Sequence, residues 1–207
     1  MGQAITELSV SLDGFVAGPN DSPALPLGEG GDRLFDWYSS GDTALPLPGT
    51  DMVFQVSRAS AALLSEEWSA VGSMVTGRRL FDIANAWSGK PPVDGPCFVV
   101  THHPQTVSSE WLEEGSPFTF VTEGVESALR QAKLAAGHRD VSVSSASMTQ
   151  QCLQAGLLDA IYIDLVPVLL GDGVRLFDHL GVTPIALEQI RVIVAPGVTH
   201  LRFRVVK

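Results

Sequence analysis

Three places in the chain where an apolar strand runs into a helix carry residues suited to holding a ligand. The first is "VTGRRLFD" (residues 75–82), in which Gly77 ends the strand and Arg78 and Arg79 fall in the first turn of the helix. Cationic side chains at that position oppose the helix dipole. A bound anion would remove the conflict, because helix N-termini bind phosphate groups well. The spacing leaves a second interpretation equally open, in which both arginines are simply solvated.

The second junction is "FVVTHH" (residues 98–103), where Thr101 and His102 leave the end of a buried strand. Small polar groups there suit contact with a ribose or a phosphate, because open α/β sheets bind ligands at the carboxyl ends of their strands. The alternative is ordinary capping of the strand before Pro104.

The third junction is "DVSVSSASMTQQ" (residues 140–151), a strand, a tight turn and a helix. Junctions that seat a phosphate usually have glycines in this turn, so that the ligand can approach bare backbone. Here Ser144 and Ser145 take those places. Ser147 followed by Gln150 fits a capping box, so another interpretation is that the serines only start the helix.

The elements that position these junctions alternate between strand and helix. Strands are predicted at residues 6–12, 70–77, 97–103, 118–122, 140–144 and 160–170, helices at 57–69, 78–87, 125–137 and 148–158, and a long loop at 22–50. This order favours a parallel sheet with helices on both faces. The tail (185–206) consists of two alternating runs around "APG", which predict an antiparallel hairpin. We therefore expect an α/β fold: a three-layer α-β-α sandwich with a mixed, mostly parallel central sheet, in one domain over residues 1–207.

Composition narrows the function classes. The 13 Lys and Arg against 23 Asp and Glu give a formal charge of −10, which disfavours general binding to nucleic acid phosphates. The five histidines and two cysteines lack the spacing of metal ligands, so no metal is expected. No apolar run reaches the roughly 18 residues that span a bilayer. A cytoplasmic protein with a small-molecule substrate, no nucleic acid partner and no membrane segment is expected.

Six segments, taken together and in order, resemble the dihydrofolate reductase-like family. More narrowly, the chain resembles the reductase domain of bifunctional riboflavin biosynthesis enzymes. The segments are "SLDGFVAGPND", "GEGGDRLFDW", "VTGRRLFD", "FVVTHHP", "GLLDAIYIDLVPVLLGDGVRLF" and "VTHLRFRV". The resemblance implies a mixed sheet flanked by helices, a homodimer, and a cleft for NADPH across the middle of the sheet.

The resemblance also implies roles for individual residues toward the cofactor. Arg78 matches the basic position that meets the adenosine 2′-phosphate, and Ala17 matches the small residue whose backbone faces the nicotinamide carboxamide. The other matched positions are Gly77, Arg79 and Leu80 at the turn near the pyrophosphate, and Thr101 and His102 beside the adenosine.

On the substrate side, Asp13, Asp36 and Trp37 match positions that border the pocket in this family. Asp36 is the candidate catalytic residue, since a carboxylate beside Trp37 could have a raised pKa and relay a proton. The alternative for Asp36 is a helix cap or a surface carboxylate.

The chain departs from the family pattern at Ser144, Ser145 and Ala146, where relatives commonly read Gly-Gly-Ala. The Gly-Gly peptide is typically cis in the wider family, a cis bond between non-proline residues costs about 2.5–4 kcal/mol, and Cβ atoms at both positions would crowd a pyrophosphate on the backbone. Two hypotheses follow. One is an NADPH-dependent oxidoreductase that transfers hydride to a small conjugated or heterocyclic substrate, with serine hydroxyls bonding to phosphate. The other is a non-redox ligand-binding protein or diverged enzyme on the same fold that has lost NADPH through these serines.

Overall fold

The centre of the molecule is a twisted mixed sheet, described here from a computed structural model that covers residues 2–207. Its strands and two small accessory ladders are β1 (Ala4–Ser11), β2 (Phe15–Ala17), β3 (Thr43–Pro46), β4 (Val53–Val56), β5 (Val71–Gly77), β6 (Cys97–Val100), β7 (Phe118–Val121), β8 (Asp140–Ser144), β9 (Ala160–Val166), β10 (Val174–Arg175), β11 (Leu187–Ala195) and β12 (Val198–Val205). The helices are α1 (Arg58–Ala70), α2 (Arg78–Ile83), α3 (Val125–Ala136) and α4 (Ala146–Gln154), and Gly31–Ser39 forms a 3₁₀ helix.

In the described residues the central sheet has eight strands in the order β11-β12-β9-β1-β8-β5-β6-β7. The six strands from β9 to β7 run parallel to one another, whereas β12 is antiparallel to both β9 and β11. The predicted mixed, mostly parallel sheet with a C-terminal antiparallel hairpin is therefore confirmed.

Helices cover both faces of the sheet and give the predicted three layers. Leu129 of α3 and Met148 of α4 belong to one apolar core. On the other face, Leu64 of α1 and Trp37 of the 3₁₀ helix form a second core, and Phe81 of α2 belongs to a third. Because the second face is covered by two separate groups of side chains, space is left between them over the middle strands.

Local sequence explains several boundaries. Ser57 caps α1, its Oγ accepting a hydrogen bond from the Ser60 amide at 3.1 Å. Gly137 ends α3 with a φ of 68°, a conformation that glycine adopts without strain.

Four predicted elements end three or four residues earlier than the sequence indicates. The strand predicted for residues 97–103 ends at Val100, and the helix predicted for 148–158 spans Ala146–Gln154. The helix predicted for residues 78–87 ends at Ile83, and Asn85–Ser88 follow with φ between 48° and 54°. The completely buried side chain of Ala86 shows that tertiary packing holds this irregular turn. The strand predicted for 160–170 ends at Val166, because Pro167 has no amide hydrogen to donate to a neighbouring strand.

The structure contains neither a membrane-crossing helix nor a group of metal-binding residues within residues 2–207. Every helix there is too short or too polar to cross a bilayer. No three His, Cys, Asp or Glu side chains of this range come together so as to hold a metal ion.

Candidate functional site

The first and third strand-to-helix junctions lie side by side at the carboxyl edge of the sheet. Strands β5 and β8 are parallel neighbours, with Thr76 opposite Ser144, so helices α2 and α4 begin next to each other. A Cβ atom added to Gly77 would lie 3.4 Å from the Oγ of Ser147 and 3.5 Å from that of Ser145. Glycine at position 77 thus leaves the space between the two helix starts open.

A cavity of about 240 Å³, which we call the junction cavity, opens at this place. Five of the residues that the resemblance assigns to the cofactor line it. They are Ala17, Arg79, Leu80, Ser145 and Ala146. The remaining wall is mostly apolar, with Leu8, Val16, Pro26, Leu27, Phe35, Ile83 and Val174 among its residues.

Ser145 occupies a backbone conformation that normally belongs to glycine. Its φ is 93° and its ψ is 148°, a region that is almost exclusive to glycine and costs other residues of order 1–3 kcal/mol. Its Oγ accepts a hydrogen bond from the Met148 amide at 3.4 Å and so caps α4. The cis peptide typical of the wider family does not occur here, since every peptide bond in residues 2–207 is trans.

The two arginines at the start of α2 are neither free in solvent nor dependent on an external anion. The Arg78 Nε donates to the Asp82 carboxylate at 2.8 Å, and its Nη2 donates to the Thr106 carbonyl at 3.2 Å. The Arg79 Nη2 pairs with Asp21 at 2.6 Å. These contacts offset the unfavourable dipole interaction. Arg78 is only 21% exposed and ties α2 to the segment after β6, whereas Arg79 is 71% exposed and remains accessible at the junction cavity.

The second junction extends the same edge of the sheet. Thr101 and His102 line a shallow groove together with Arg78 and Thr106. Thr101 is buried, and its Oγ1 accepts a hydrogen bond from the His103 amide at 3.1 Å. The structure therefore brings Arg78, Thr101 and His102, which the resemblance assigns to the cofactor, together in one groove.

The three residues predicted to border the substrate, Asp13, Asp36 and Trp37, do not lie at the junction cavity. The Asp13 carboxylate accepts hydrogen bonds from the Ser11 hydroxyl at 2.6 Å and from the Gly171 amide at 2.7 Å, which lower its pKa to about 2. Trp37 is buried, and its Nε1 donates to Ser9 Oγ at 3.2 Å. Asp36 is 58% exposed and pairs with Arg33 at 3.2 Å. None of the three lines the junction cavity or the second cavity next to it, which lies over the middle of the sheet. Asp36 has the surface position that was its alternative interpretation.

A second cavity, of about 190 Å³, adjoins the junction cavity and lies over the middle of the sheet. The two share Leu8, Val16 and Phe35 as lining residues. We call the second one the sheet cavity. Its polar wall comes from the strands and its aromatic wall from the covering elements; the residues are Glu7, Ser9, Ser142, Ser144 and Asp164, with Phe35, Tyr38 and Trp68. Of these, only Ser144 was assigned to the site from the sequence.

Behind the sheet cavity lies a buried group of charges that we call the Arg202 cluster: Arg202, Glu7, Glu67 and Asp164. The Arg202 guanidinium lies 2.7 Å from Glu67, 2.9 Å from Asp164 and 3.5 Å from Glu7. Three carboxyl groups therefore share one cation in a space with little water.

Asp164 is further fixed by His200, whose Nδ1 lies 2.7 Å from the carboxylate. The other ring nitrogen of His200 lies 2.9 Å from Ser60 Oγ. Serine, histidine and aspartate in this order resemble a hydrolytic triad, but all three are at most 1% exposed. A nucleophile must reach its substrate, so this chain of hydrogen bonds holds Asp164 in place instead.

The electrostatics of the cluster set Glu7 apart. Burial, and then the negative charge of Asp164, raise the pKa of Glu7 to about 8, although Arg202 acts in the opposite direction. Glu7 therefore carries a proton at neutral pH. Burial also raises the pKa of Glu67 and that of the Tyr38 hydroxyl.

Comparison with known proteins identifies the family and the fold of this chain. The family model of the RibD C-terminal domain matches residues 4–200. The uncharacterized protein YwjB of Bacillus subtilis is 24% identical over 179 residues, covering 86% of this chain and 84% of its own. A putative riboflavin biosynthesis protein from Shewanella sp. PV-4 superimposes with a TM-score of 0.68 at 22% identity over 99% of both chains. The dihydrofolate reductase of Enterococcus faecalis, solved with NADP(H), superimposes with a TM-score of 0.56 at 12% identity, over all of this chain and 98% of its own.

Proposed function

The chain belongs to the RibD C-terminal domain family, and from this premise we propose that it is a reductase that transfers hydride from NADPH to a small conjugated or heterocyclic substrate. The observation that carries the proposal is the junction cavity, where the N-terminus of α4 meets Arg79, whose exposed guanidinium also pairs with Asp21. Helix starts and arginine are the groups that bind phosphate best in proteins.

The residues at the junction cavity fit the cofactor. The backbone at the start of α4, the hydroxyls of Ser145 and Ser147, and the Arg79 guanidinium would hold the phosphates. A Cβ atom at position 77 would be in ordinary contact with the two serine hydroxyls, at 3.4 and 3.5 Å, so glycine there leaves a little more room between the helix starts. When bound, the cofactor supplies a hydride through its reduced nicotinamide. The sheet cavity, whose wall includes Phe35, Tyr38 and Trp68, would then orient the substrate and exclude water.

The pure protein is expected to bind NADPH with saturation below millimolar concentration, measured by the change in nicotinamide fluorescence on titration. Arg79→Ala should weaken binding about tenfold, because it removes the accessible cation at the cavity. Arg204→Ala, a surface substitution on β12, serves as the control and should leave affinity unchanged. A wild-type protein that shows no saturable binding at millimolar NADPH would contradict the proposal.

The pair Ser144→Gly and Ser145→Gly separates the reductase from the second candidate, a ligand-binding protein without redox chemistry. Ser145 already holds a glycine-like conformation, so the double glycine variant keeps the backbone at the start of α4. It should still bind NADPH, but more weakly than the wild type, because the Ser145 hydroxyl no longer contacts the phosphates. Ser109→Gly, at the exposed start of the short 3₁₀ helix Ser109–Trp111, is the matched control. NADPH affinity that appears only in the double variant would favour the non-redox function.

We also propose that the chain forms a homodimer through β11. This strand ends the sheet in the described residues and exposes a row of apolar side chains, Ile190, Val192 and Val194. An exposed apolar edge strand is a template for pairing with another chain. Val194→Lys should convert the dimer to a monomer, measured by light scattering after size-exclusion chromatography. Val182→Lys, at a fully exposed loop position, should leave the dimer intact, and a monomeric wild type would refute the arrangement.

A further inference from the structure

Glu7 stands on the central strand β1 and lines the sheet cavity, yet nothing in the family resemblance gives it a role. Its side chain is 18% exposed, more than Glu67 at 11% and Asp164 at 1%. Of the three carboxyl groups in the Arg202 cluster it is the one that a ligand in the cavity reaches most easily.

Glu7 is also the carboxyl group of the cluster that lies farthest from the Arg202 guanidinium. Arg202 binds Glu67 through two donors, at 2.7 and 2.8 Å, and binds Asp164 at 2.9 Å, but it lies 3.5 Å from Glu7. Asp164 is additionally bound by His200 at 2.7 Å. Glu67 and Asp164 are thus held in place by Arg202 and His200, whereas Glu7, the carboxyl group with the longest contact to Arg202, has a pKa raised to about 8.

The other groups that face Glu7 do not compete as acids. On α1, the Trp68 indole Nε1 donates to Glu7 Oε2 at 3.2 Å. Tyr38, on the 3₁₀ helix, lines the same cavity with a phenol whose pKa is raised by burial. Serine hydroxyls such as Ser142 and Ser144 are far weaker acids. The sheet cavity therefore presents a single side chain that both holds a proton at neutral pH and gives it up readily.

We propose that Glu7 is the catalytic acid of this chain, delivering its proton to a basic nitrogen of the substrate bound in the sheet cavity. The proposal rests on the reductase function above. When bound, NADPH would supply a hydride with its electron pair to the carbon of a C=N group and would leave as NADP⁺, while the π electrons would move to the nitrogen. Glu7 would give its carboxyl proton to that nitrogen, and the resulting carboxylate would recover a proton from solvent.

An imine nitrogen fits this site better than a carbonyl oxygen. Proton transfer is efficient when donor and acceptor have similar pKa values, and a carboxyl with a pKa of about 8 matches an imine far more closely than a carbonyl. The carboxylates of Asp164 and Glu67 exceed the single charge of Arg202, so the surroundings also stabilise the cation that protonation creates.

The experiment uses 3,4-dihydroisoquinoline, a small aromatic imine, as the probe. Calorimetry at pH 7 without NADPH gives its affinity, and ultraviolet difference absorption shows whether the bound probe is the imine or its iminium. The wild type should bind the iminium. Glu7→Gln, which keeps the shape of a protonated carboxyl, should bind at least tenfold more weakly and should show no iminium absorption. Glu66→Gln, on the exposed side of α1, is the control and should behave as the wild type.

Two further measurements separate this proposal from the function on which it rests. NADPH affinity should be the same in Glu7→Gln and wild type, because Glu7 does not line the junction cavity. With NADPH and the probe together, Glu7→Gln should reduce NADPH oxidation at least 100-fold. Failure of the wild type to bind the probe, binding of the neutral imine, or unaltered binding and absorption in Glu7→Gln would each overturn the role of Glu7. Loss of NADPH binding with an intact iminium spectrum would instead overturn the reductase function.

Discussion

Arg202→Met is expected to lower the free energy of unfolding by about 3–5 kcal/mol, the cost of removing one partner from a buried ion pair. Arg202 is the cation that the three carboxyl groups of its cluster share, and its side chain is 2% exposed. Without it, Asp164 and Glu67 keep their desolvation cost and lose the attraction that offsets it. Equilibrium urea denaturation at pH 7, followed by tryptophan fluorescence, measures the change.

The neighbouring strand position provides the control. Arg204 lies two residues further along β12, is 56% exposed and pairs with Glu188 at 2.8 Å. An exposed ion pair contributes at most about 1 kcal/mol, so Arg204→Met should shift the urea midpoint only slightly. Arg202→Lys should fall between the two, since an ammonium group keeps the charge but loses the two-pronged contact with Glu67.

The cause of the stability loss in Arg202→Met can be tested by changing the pH. If uncompensated carboxylates are the cause, lowering the pH to 5 should protonate part of the cluster and shrink the difference between Arg202→Met and wild type. An equal deficit at pH 5 and pH 7 would mean that Arg202 acts through packing alone, for example through its contact with the Tyr162 ring, whose centroid lies 4.9 Å from its guanidinium carbon.

The sequence predicted the fold well because the relevant patterns are local. Alternating runs around "APG" predict the hairpin of β11 and β12, the serine at 57 predicts the start of α1, and the glycine at 137 predicts the end of α3. Strand-to-helix junctions are also local, and the parallel sheet necessarily brings their ends to one edge. This is why Arg79, Leu80, Ser145 and Ala146, four of the five cofactor-assigned residues at the junction cavity, line it together.

The sheet cavity could not be predicted in the same way. In "TELSVSL", Glu7 alternates with apolar residues as it would on a strand with one wet face. Its burial arises only because β1 is central and both faces of the sheet are covered. The same reasoning explains Trp37, which was expected at the substrate: the 3₁₀ helix turns it into the core, and its neighbour Tyr38 reaches the cavity instead.

The buried charges and the proposed chemistry have the same physical origin. A carboxyl group that must hold a proton at pH 7 needs desolvation and nearby negative charge, and Glu7 has both. Those features oppose folding once the group ionises. The raised pKa of Glu7 therefore provides an acid at the sheet cavity and also makes the free energy of unfolding depend on pH. Measuring that pH dependence tests the raised pKa.

Stability is expected to fall by ~3–5 kcal/mol as the pH rises from about 4.5 to about 8. The pKa of Glu7 is raised from its ordinary value of 4.5 to about 8 in the folded chain. Between these values the folded state binds one proton more than the unfolded state, which makes the slope of unfolding free energy against pH negative, at most about 1.4 kcal/mol per pH unit. The raised pKa of Glu67 acts in the same direction, whereas Asp13, with a pKa of about 2, contributes only in strong acid.

Urea denaturation of wild type and Glu7→Gln at pH 5, 6, 7, 8 and 9 tests this dependence. Because an amide does not ionise, Glu7→Gln should lose most of the slope, leaving the part that Glu67 causes, and at pH 9 it should be more stable than the wild type. Glu66→Gln should keep the slope of the wild type, since that side chain is 67% exposed and pairs only with Arg191 at the surface. An identical slope in all three proteins would show that Glu7 ionises normally. In that case the desolvation that makes it an acid at neutral pH, and with it the catalytic role assigned to it, would have to be abandoned.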